Sequence, residues 1–371
     1  MQLRELVPLG RRGTMLVRHL ATEPPLATLR SVAWYALYKH LRWATRLLAP
    51  RFGVQLGGTS ERRGPLDVHS MRAEYERYIS EDATIFGHSG LLVGPDGKVL
   101  NEPNQVDQYY QIVRLAHQLT HAPATMLRGR ASVHLPAGRH LNAIPVFPRN
   151  YFHWIAEVLP IVVILETASP QFGYILHPDA PAFQHEWLQL VGVEDTRIRT
   201  ATRHRPLAGT VMAKPSVSVE DHSTYEPLRE LITERLPTAS PRAARLFIDR
   251  TRVRNRRITN KAEVVRFLQM QDFTIIDPAG LTVEETVQHI RTADIIVSVY
   301  GANMADVIFA DDAHIIELTP SWRSGSAYEI LGTCGHNTYS RIPCAQRGGD
   351  ITVDLDALTG ELRSTEDPGE S

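Results

Sequence analysis

Hydrophobic and polar positions change rhythm twice along this chain, and each change marks a different kind of element. In "LATLRSVAWYALYKHLRWATRLL" (26–48), Leu26, Leu29, Ala33, Leu37, Leu41, Ala44 and Leu48 recur at helical spacing, flanked by Trp34, Tyr35, Tyr38 and Trp43. That spacing predicts an amphipathic helix. From 61 to about 215 the pattern is mixed. "ATIFGHSGLLVGPDGKVL" predicts two strands around a Pro-Asp-Gly turn, and "ASVHLPAGRHLNAIPVF" further short strands. "NYFHWIAEVLP" (150–160) opens a helix with an apolar stripe. "FGYILHPDAP" is a strand, "AFQHEWLQLVGV" a helix stopped near Gly192, and "AGTVMAKPSVSVEDHSTYEP" strand first and turn later.

From 240 the pattern becomes regular. "ARLFID", "FTIID", "DIIVSVY", "HIIELTP" and "TYSRIP" are strands; "NKAEVVRFLQMQ", "TVEETVQHIRTA", "NMADVIF" and "SAYEILGTCG" are helices between them. Asn260 with Glu263, and Thr282 with Glu285, form capping-box patterns. Val283, Val287 and Ile290 form the buried face of the second of these helices. Strand and helix alternating in this way imply a doubly wound parallel sheet. After Asp350 the chain turns polar and acidic, so 351–371 is expected to be a polar tail outside the regular α/β pattern, with its end, "STEDPGES", disordered. The expected division is 1–60 as a helical extension, 61–220 as a first α/β domain with its boundary near 216–225, and 221–350 as a second.

Composition narrows this picture. With 371 residues, 43% hydrophobic and a net charge of −1, the chain has room for two domains and lacks the basic excess of a bulk nucleic-acid binder. Two cysteines, Cys334 and Cys344, without a CxxC pair argue against a disulfide framework or structural zinc and for a reducing compartment. The first twenty residues lack the apolar core of a secretory signal, and no stretch meets the run of uncharged apolar residues that a membrane span requires. Charge is uneven, however. Between Pro24 and Ser60 there is no acidic residue, against Arg30, Lys39, Arg42, Arg46 and Arg51. A basic helix with interfacial aromatics fits an anionic membrane surface, and equally a helix docked on its own protein's core.

Ligands of doubly wound sheets bind beyond the carboxyl ends of the strands. Three features fall there. "RTRVRNRR" (250–257) follows a strand with five arginines, whose forks suit phosphate oxygens. Gly301 sits between a buried strand and a helix start, where free amides favour an anion. Glu317 precedes a strand-ending proline, placed either to accept ribose hydroxyls or to pair with an arginine. Farther back, His153 and Glu157 lie one turn apart on the 150–160 helix. The pair suits general-base work or the anchoring of a core helix, and without a third ligand nearby a metal site is not expected. A D-x-D, Asp354-Leu-Asp356, falls in the polar tail and is read as chance.

Three stretches taken together, "NYFHWIAEVLP", "RLFIDRTRVRNRRITN" and "ADIIVSVYGANMADVIFADDAHIIELTP", resemble the family 61 glycosyltransferases over roughly 140–320. The resemblance implies a GT-B architecture, with two Rossmann-like domains facing an interdomain cleft. It implies an inverting, metal-independent transferase without cofactors, moving a sugar from a nucleotide donor, a UDP-sugar in expectation, to a surface glycan or lipid-linked acceptor. Carried over by motif, Arg250, Arg256, Arg257 and Asn260 would face the donor's phosphates. Tyr300, Gly301 and Asn303 would form the diphosphate turn, and Glu317 would lie near the ribose. The family's usual histidine before the glycine is here Tyr300, which donates one hydrogen bond but carries no proton charge near neutral pH. Glu157 and His153 would be the catalytic pair, with Glu157 slightly favoured as base. Capsule-type polysaccharide synthesis on the cytoplasmic face of the plasma membrane, with residues 26–48 on the anionic surface and no nucleic acid as partner, completes the expectation. The alternatives are a glycan- or nucleotide-binding module that has lost catalysis, and an RNA binder using the arginine loop.

Overall fold

The computed structural model describes residues 75–100, 113–118, 131–168, 171–215, 220–236, 244–251, 255–321 and 327–366. The basic helix expected at 26–48 lies outside the described residues, as does all of 1–60.

The first sheet contains β1 (Ile79–Phe86), β2 (Leu91–Val93), β3 (Val133–Asn142), β4 (Gly173–Leu176), β5 (Ile198–Thr200) and β6 (Leu207–Met212), in the order β2-β1-β6-β3-β4-β5. Strands β6, β3, β4 and β5 are parallel, while β1 and β2 close one edge antiparallel. The hairpin differs from expectation. Its turn is Gly87–Gly90, where the Ser89 and Gly90 amides both return to Phe86 O and Gly90 takes φ +67. The Pro-Asp-Gly turn that follows leads only to a single bridge, Val93 to Val99.

Helix α1 (Tyr151–Ala168) begins where Asn150 Oδ1 accepts the Phe152 amide at 3.0 Å. Pro160 has no N–H to return to Ala156 O, so the α ladder cannot run through it. The chain responds with a π segment over Trp154–Val158, in which the Leu159 amide reaches back to Trp154 O. The Tyr225 hydroxyl comes to 3.5 Å from Ala156 O. By length and composition these 18 residues could cross a membrane, which the sequence reading did not anticipate, but 61% of the window is buried in the protein. It is the central helix of the core.

Helices α2 (Ala182–Leu190) and α3 (Glu226–Arg235) complete the first half and the passage to the second. The second sheet holds β7 (Ala244–Ile248), β8 (Phe273–Ile276), β9 (Ala293–Val299), β10 (His314–Pro320), β11 (Thr338–Arg347) and β12 (Asp350–Thr352), ordered β12-β11-β10-β9-β7-β8. All are parallel except β12, and a short helix, α6 (Ala327–Gly332), lies between β10 and β11. Leu246, Ile248, Ile296 and Ile315 face one apolar cluster, with α5 (Val283–Arg291) against it; Phe247, Val297, Ile316 and Leu318 face another, with α4 (Lys261–Met270). Helices therefore cover both faces, as the near-continuous apolar strands require. The first cluster also contains Leu141, Trp154, Ile155 and the rest of the buried face of α1, so the two halves share one core.

Two expectations need correction. The Thr282–Glu285 capping box forms, but Asn260 makes no capping bond to α4. Its side chain instead clamps the backbone of Val353, donating to O at 2.9 Å and accepting from N at 3.0 Å. The supposed tail is structured: β12 is followed by α7 (Leu355–Glu366), and Ile351, Val353, Leu358 and Leu362 are buried in the second cluster. The D-x-D is part of this helix's start, where Asp354 Oδ1 accepts the Asp356 and Ala357 amides.

Candidate active site

His153 Nδ1 and Glu157 Oε1 stand 2.6 Å apart, with side chains 14% and 17% exposed. Burial by itself would raise the Glu157 carboxyl; the hydrogen bond from His153 and the positive charges of Lys214 and Arg114 reverse that and hold it below the ordinary value. Glu157 is therefore a carboxylate near neutrality, and a carboxylate only accepts. The short contact to a carboxylate makes Nδ1 the donor, and Nε2 is the ring nitrogen that Glu157 does not engage. A carboxylate held low is a weak base but a good orienting partner for a histidine.

In the second sheet the strand order reverses between β8-β7 and β9, so the crevice expected for a ligand lies beyond the ends of β7 and β9. Asp249 follows β7, pairs with Lys261 at 2.6 Å and accepts the Arg250 amide at 2.7 Å. Arg250 then folds over the loop after β9, where its Nη1 donates to Tyr300 O at 3.0 Å. Gly301 has φ 165, extended backbone open to any residue, so conformation does not demand glycine there. Space does: a Cβ would fall on the Arg250 guanidinium. Arg256, at φ +61, brings its guanidinium 4.9 Å from the centre of the Tyr300 ring. Burial first, and then the neighbouring Arg256 charge, push Arg250 down to about 10. A buried guanidinium beside a second one is the kind of pairing that suits an anion.

A run of rings connects this crevice to the dyad. Tyr300 meets Tyr328 at 5.2 Å, Tyr328 meets Phe152 at 5.3 Å, and Phe152 meets His153 at 5.5 Å. His153, Glu157, Arg250, Arg256, Tyr300 and Gly301 are thus gathered around one junction of the two halves. Asn303 is at its margin, its Nδ2 donating to Asp249 O at 3.4 Å.

The remaining expected residues are placed otherwise. Arg257 is largely exposed and bound by Nε and Nη2 to Asp350, at 3.0 and 2.7 Å, where it fastens β12. Asn260 is committed to Val353. Both serve the C-terminal strand because the chain after β7 pairs with it; the Arg256 and Thr259 amides also donate to that segment. Glu317 lies in the middle of β10 and not at its end, with 0% exposure, and takes the Tyr339 hydroxyl at 2.6 Å. It is neither open to a ribose nor paired with arginine. Arg252 and Arg254 lie outside the described residues.

Residues 151–316 match the family model described as Glycosyltransferase 61, a span just under half of the chain that holds the dyad and both placed arginines. The chain is a glycosyltransferase. No curated protein matches the transferase. Among solved structures, E. coli heptosyltransferase WaaC with ADP is similar at 12% identity and a TM-score of 0.32, covering 62% of the transferase and 99% of that chain. A likeness that loose carries no argument.

Sequence reasoning missed Lys214, Arg114 and Tyr328, each of which bears on this junction. Tyr328 is flanked by Tyr300, Arg256, Arg250 and Glu317, and burial raises its hydroxyl above the ordinary range. These residues come from separate elements with no shared spacing, so no motif announced them. Among the described residues of the transferase, no group of three or more His, Cys, Asp or Glu is placed to hold a metal ion. Cys334 and Cys344 are free, and burial raises them to about 11 and 12.

Proposed function

We propose that the transferase moves a sugar from a nucleotide donor, with UDP as the carrier, to an acceptor hydroxyl by metal-independent displacement with inversion, in a GT-B arrangement of its two halves. The His153–Glu157 pair carries this reading. Glu157 fixes the imidazole by accepting from Nδ1, and Nε2 takes the acceptor's proton as the hydroxyl oxygen attacks the anomeric carbon. The nucleoside diphosphate leaves toward Arg250, Arg256 and the amides after Gly301, whose fixed charge meets the negative charge that builds up there. The second half holds the donor and the first holds the acceptor, a surface glycan or lipid-linked sugar. Residues 26–48 would place the enzyme on the cytoplasmic face of an anionic membrane.

Turnover of a panel of nucleotide sugars, read as released nucleoside diphosphate, tests the scheme. His153→Ala is expected to lose ~10²–10⁴-fold in kcat while UDP still protects the fold against heat, because general-base catalysis is worth that much. Glu157→Gln should lose less, since it disturbs only orientation. EDTA should leave the rate unchanged, and removing residues 1–60 should release the chain from anionic vesicles. Full turnover in both dyad variants would refute the base assignment. Protection by UDP with no turnover from any donor would favour the non-catalytic alternative, and retained vesicle binding after truncation would remove the membrane role.

A further inference from the structure

Between β3 and α1 the chain comes to the surface for one turn. Ala143 and Ile144 before it are buried, as are Trp154 and Ile155 after it, but Phe147 is 43% exposed. Among the described residues it is the only exposed phenylalanine, tyrosine or tryptophan. A lone apolar side chain in water needs no explanation by itself. This one, however, is held in a fixed place beside the dyad. The Asn150 amide donates to Phe147 O at 2.9 Å, and Gln184, 0% exposed, donates from Nε2 to Pro148 O at 2.8 Å. The Phe147 ring stands 5.0 Å from the His153 imidazole, centre to centre, and is inclined to it by 35°. Phe152 meets the same imidazole edge-on, at 79°, and leads through Tyr328 and Tyr300 to the arginines of the donor side. His153 thus has one ring neighbour that runs toward the donor and one that opens to water.

We infer that Phe147 is the platform on which the acceptor sugar stacks while His153 takes the proton of its hydroxyl. This rests on the proposed role of His153 as base. A pyranose face free of axial hydroxyls presents C–H bonds that are apolar and slightly positive, whereas the face of a phenyl ring is negative. A sugar laid on Phe147 covers apolar surface that the fold leaves wet. Its hydroxyls then point outward from its rim, and the imidazole lies close enough to the platform for one of them to meet it. An axial hydroxyl on the stacked face would be pressed against the phenyl, and a linear polyol has no face to offer. The platform therefore selects a pyranoside with at least one face clear of axial hydroxyls.

Methyl β-D-glucopyranoside and methyl β-D-galactopyranoside, with glycerol as a polyol that lacks a ring face, are suitable probes for saturation-transfer NMR. The full chain is used, with and without saturating UDP. The expected result is saturation of the ring C–H protons of at least one glycoside, none of glycerol, and no displacement by UDP. Phe147→Ala should weaken that binding ~10-fold, about what one aromatic contact is worth. Phe147→Trp should keep it, and Phe147→Leu, apolar but without a π face, should not. Tm and protection by UDP should stay at the native level in all three, because the side chain is exposed and the donor's arginines lie on the other half. Equal binding in the native and Phe147→Ala chains, full retention in Phe147→Leu, or displacement of the glycoside by UDP would each overturn the inference. So would a Phe147→Ala chain with a lowered Tm, the mark of a ring that only covers His153, or a native chain that UDP protects but that binds neither glycoside. Failure of the underlying reading is separately visible, as a native chain that UDP does not protect.

Discussion

At Gly301 the argument for glycine is one of closeness. Its backbone is extended, so alanine can adopt it, and the only obstacle is the Arg250 guanidinium lying where a Cβ would go. Gly301→Ala is therefore expected to fold with a Tm near that of the parent, yet to bind UDP at least ~10-fold more weakly as Arg250 is displaced, the loss of one charged hydrogen bond being worth ~1.5–3 kcal/mol. Unaltered UDP affinity, measured calorimetrically, would show that Arg250 does not hold the donor. The residue scale is also where the sequence was most and least legible. The His153–Glu157 spacing and the strand-end places of Arg250 and Gly301 could be read from the chain because each is local or follows a strand end. Glu317 was misjudged because nothing in "HIIELTP" reveals that Tyr339, on the neighbouring strand, takes its carboxylate. Lys214 and Tyr328 carried no local signal at all.

Elements were legible where their own pattern decided them. The apolar runs of β9 and β10 and the Thr282 box of α5 formed as expected, since a strand covered on both faces and a reciprocal cap need no distant partner. Elements failed to declare themselves where a distant segment decided them. Asn260 had the capping pattern but was captured by Val353, 93 residues on. Helix α7 looked like a polar tail because only Leu355, Leu358 and Leu362 form its apolar stripe, and that stripe is sufficient only against Ile351, Val353 and the sheet. If α7 is structural, Leu358→Ala, at a position with 0% exposure, should cost ~2–5 kcal/mol of unfolding free energy in urea, the range for a buried leucine. A change below ~0.5 kcal/mol, typical of a surface site, would return these residues to the status of a tail.

For the molecule as a whole, the decisive question is what holds the dyad of the first half against the arginines of the second. The shared apolar cluster supplies area but little direction. Direction comes from Tyr151, at the head of α1, whose hydroxyl donates to Asp306 Oδ1 at 2.7 Å in the segment after Gly301 and accepts from Trp187 Nε1 at 3.0 Å. Asp306 is 1% exposed, and burial raises its carboxyl to about 7, although the Tyr151 hydrogen bond pulls the other way. A carboxyl whose folded value lies above its unfolded one holds an extra proton in the fold between the two. Stability should therefore be greatest while Asp306 is protonated, decline as pH rises from about 4 to about 7, and be level above that, by ~4 kcal/mol at most. Asp306→Asn keeps an acceptor for Tyr151 without the charge, so its Tm should exceed the parent's at pH 8 and converge with it toward pH 4. Tyr151→Phe should do the opposite, destabilising by a further ~1–3 kcal/mol above pH 7, where the buried carboxylate loses the Tyr151 donor, and by less as the group protonates. Crossing Tm-against-pH curves for the two variants would locate the link between the halves at this bond. Parallel curves, with the parent's slope retained in Asp306→Asn, would show that the halves are oriented by packing alone.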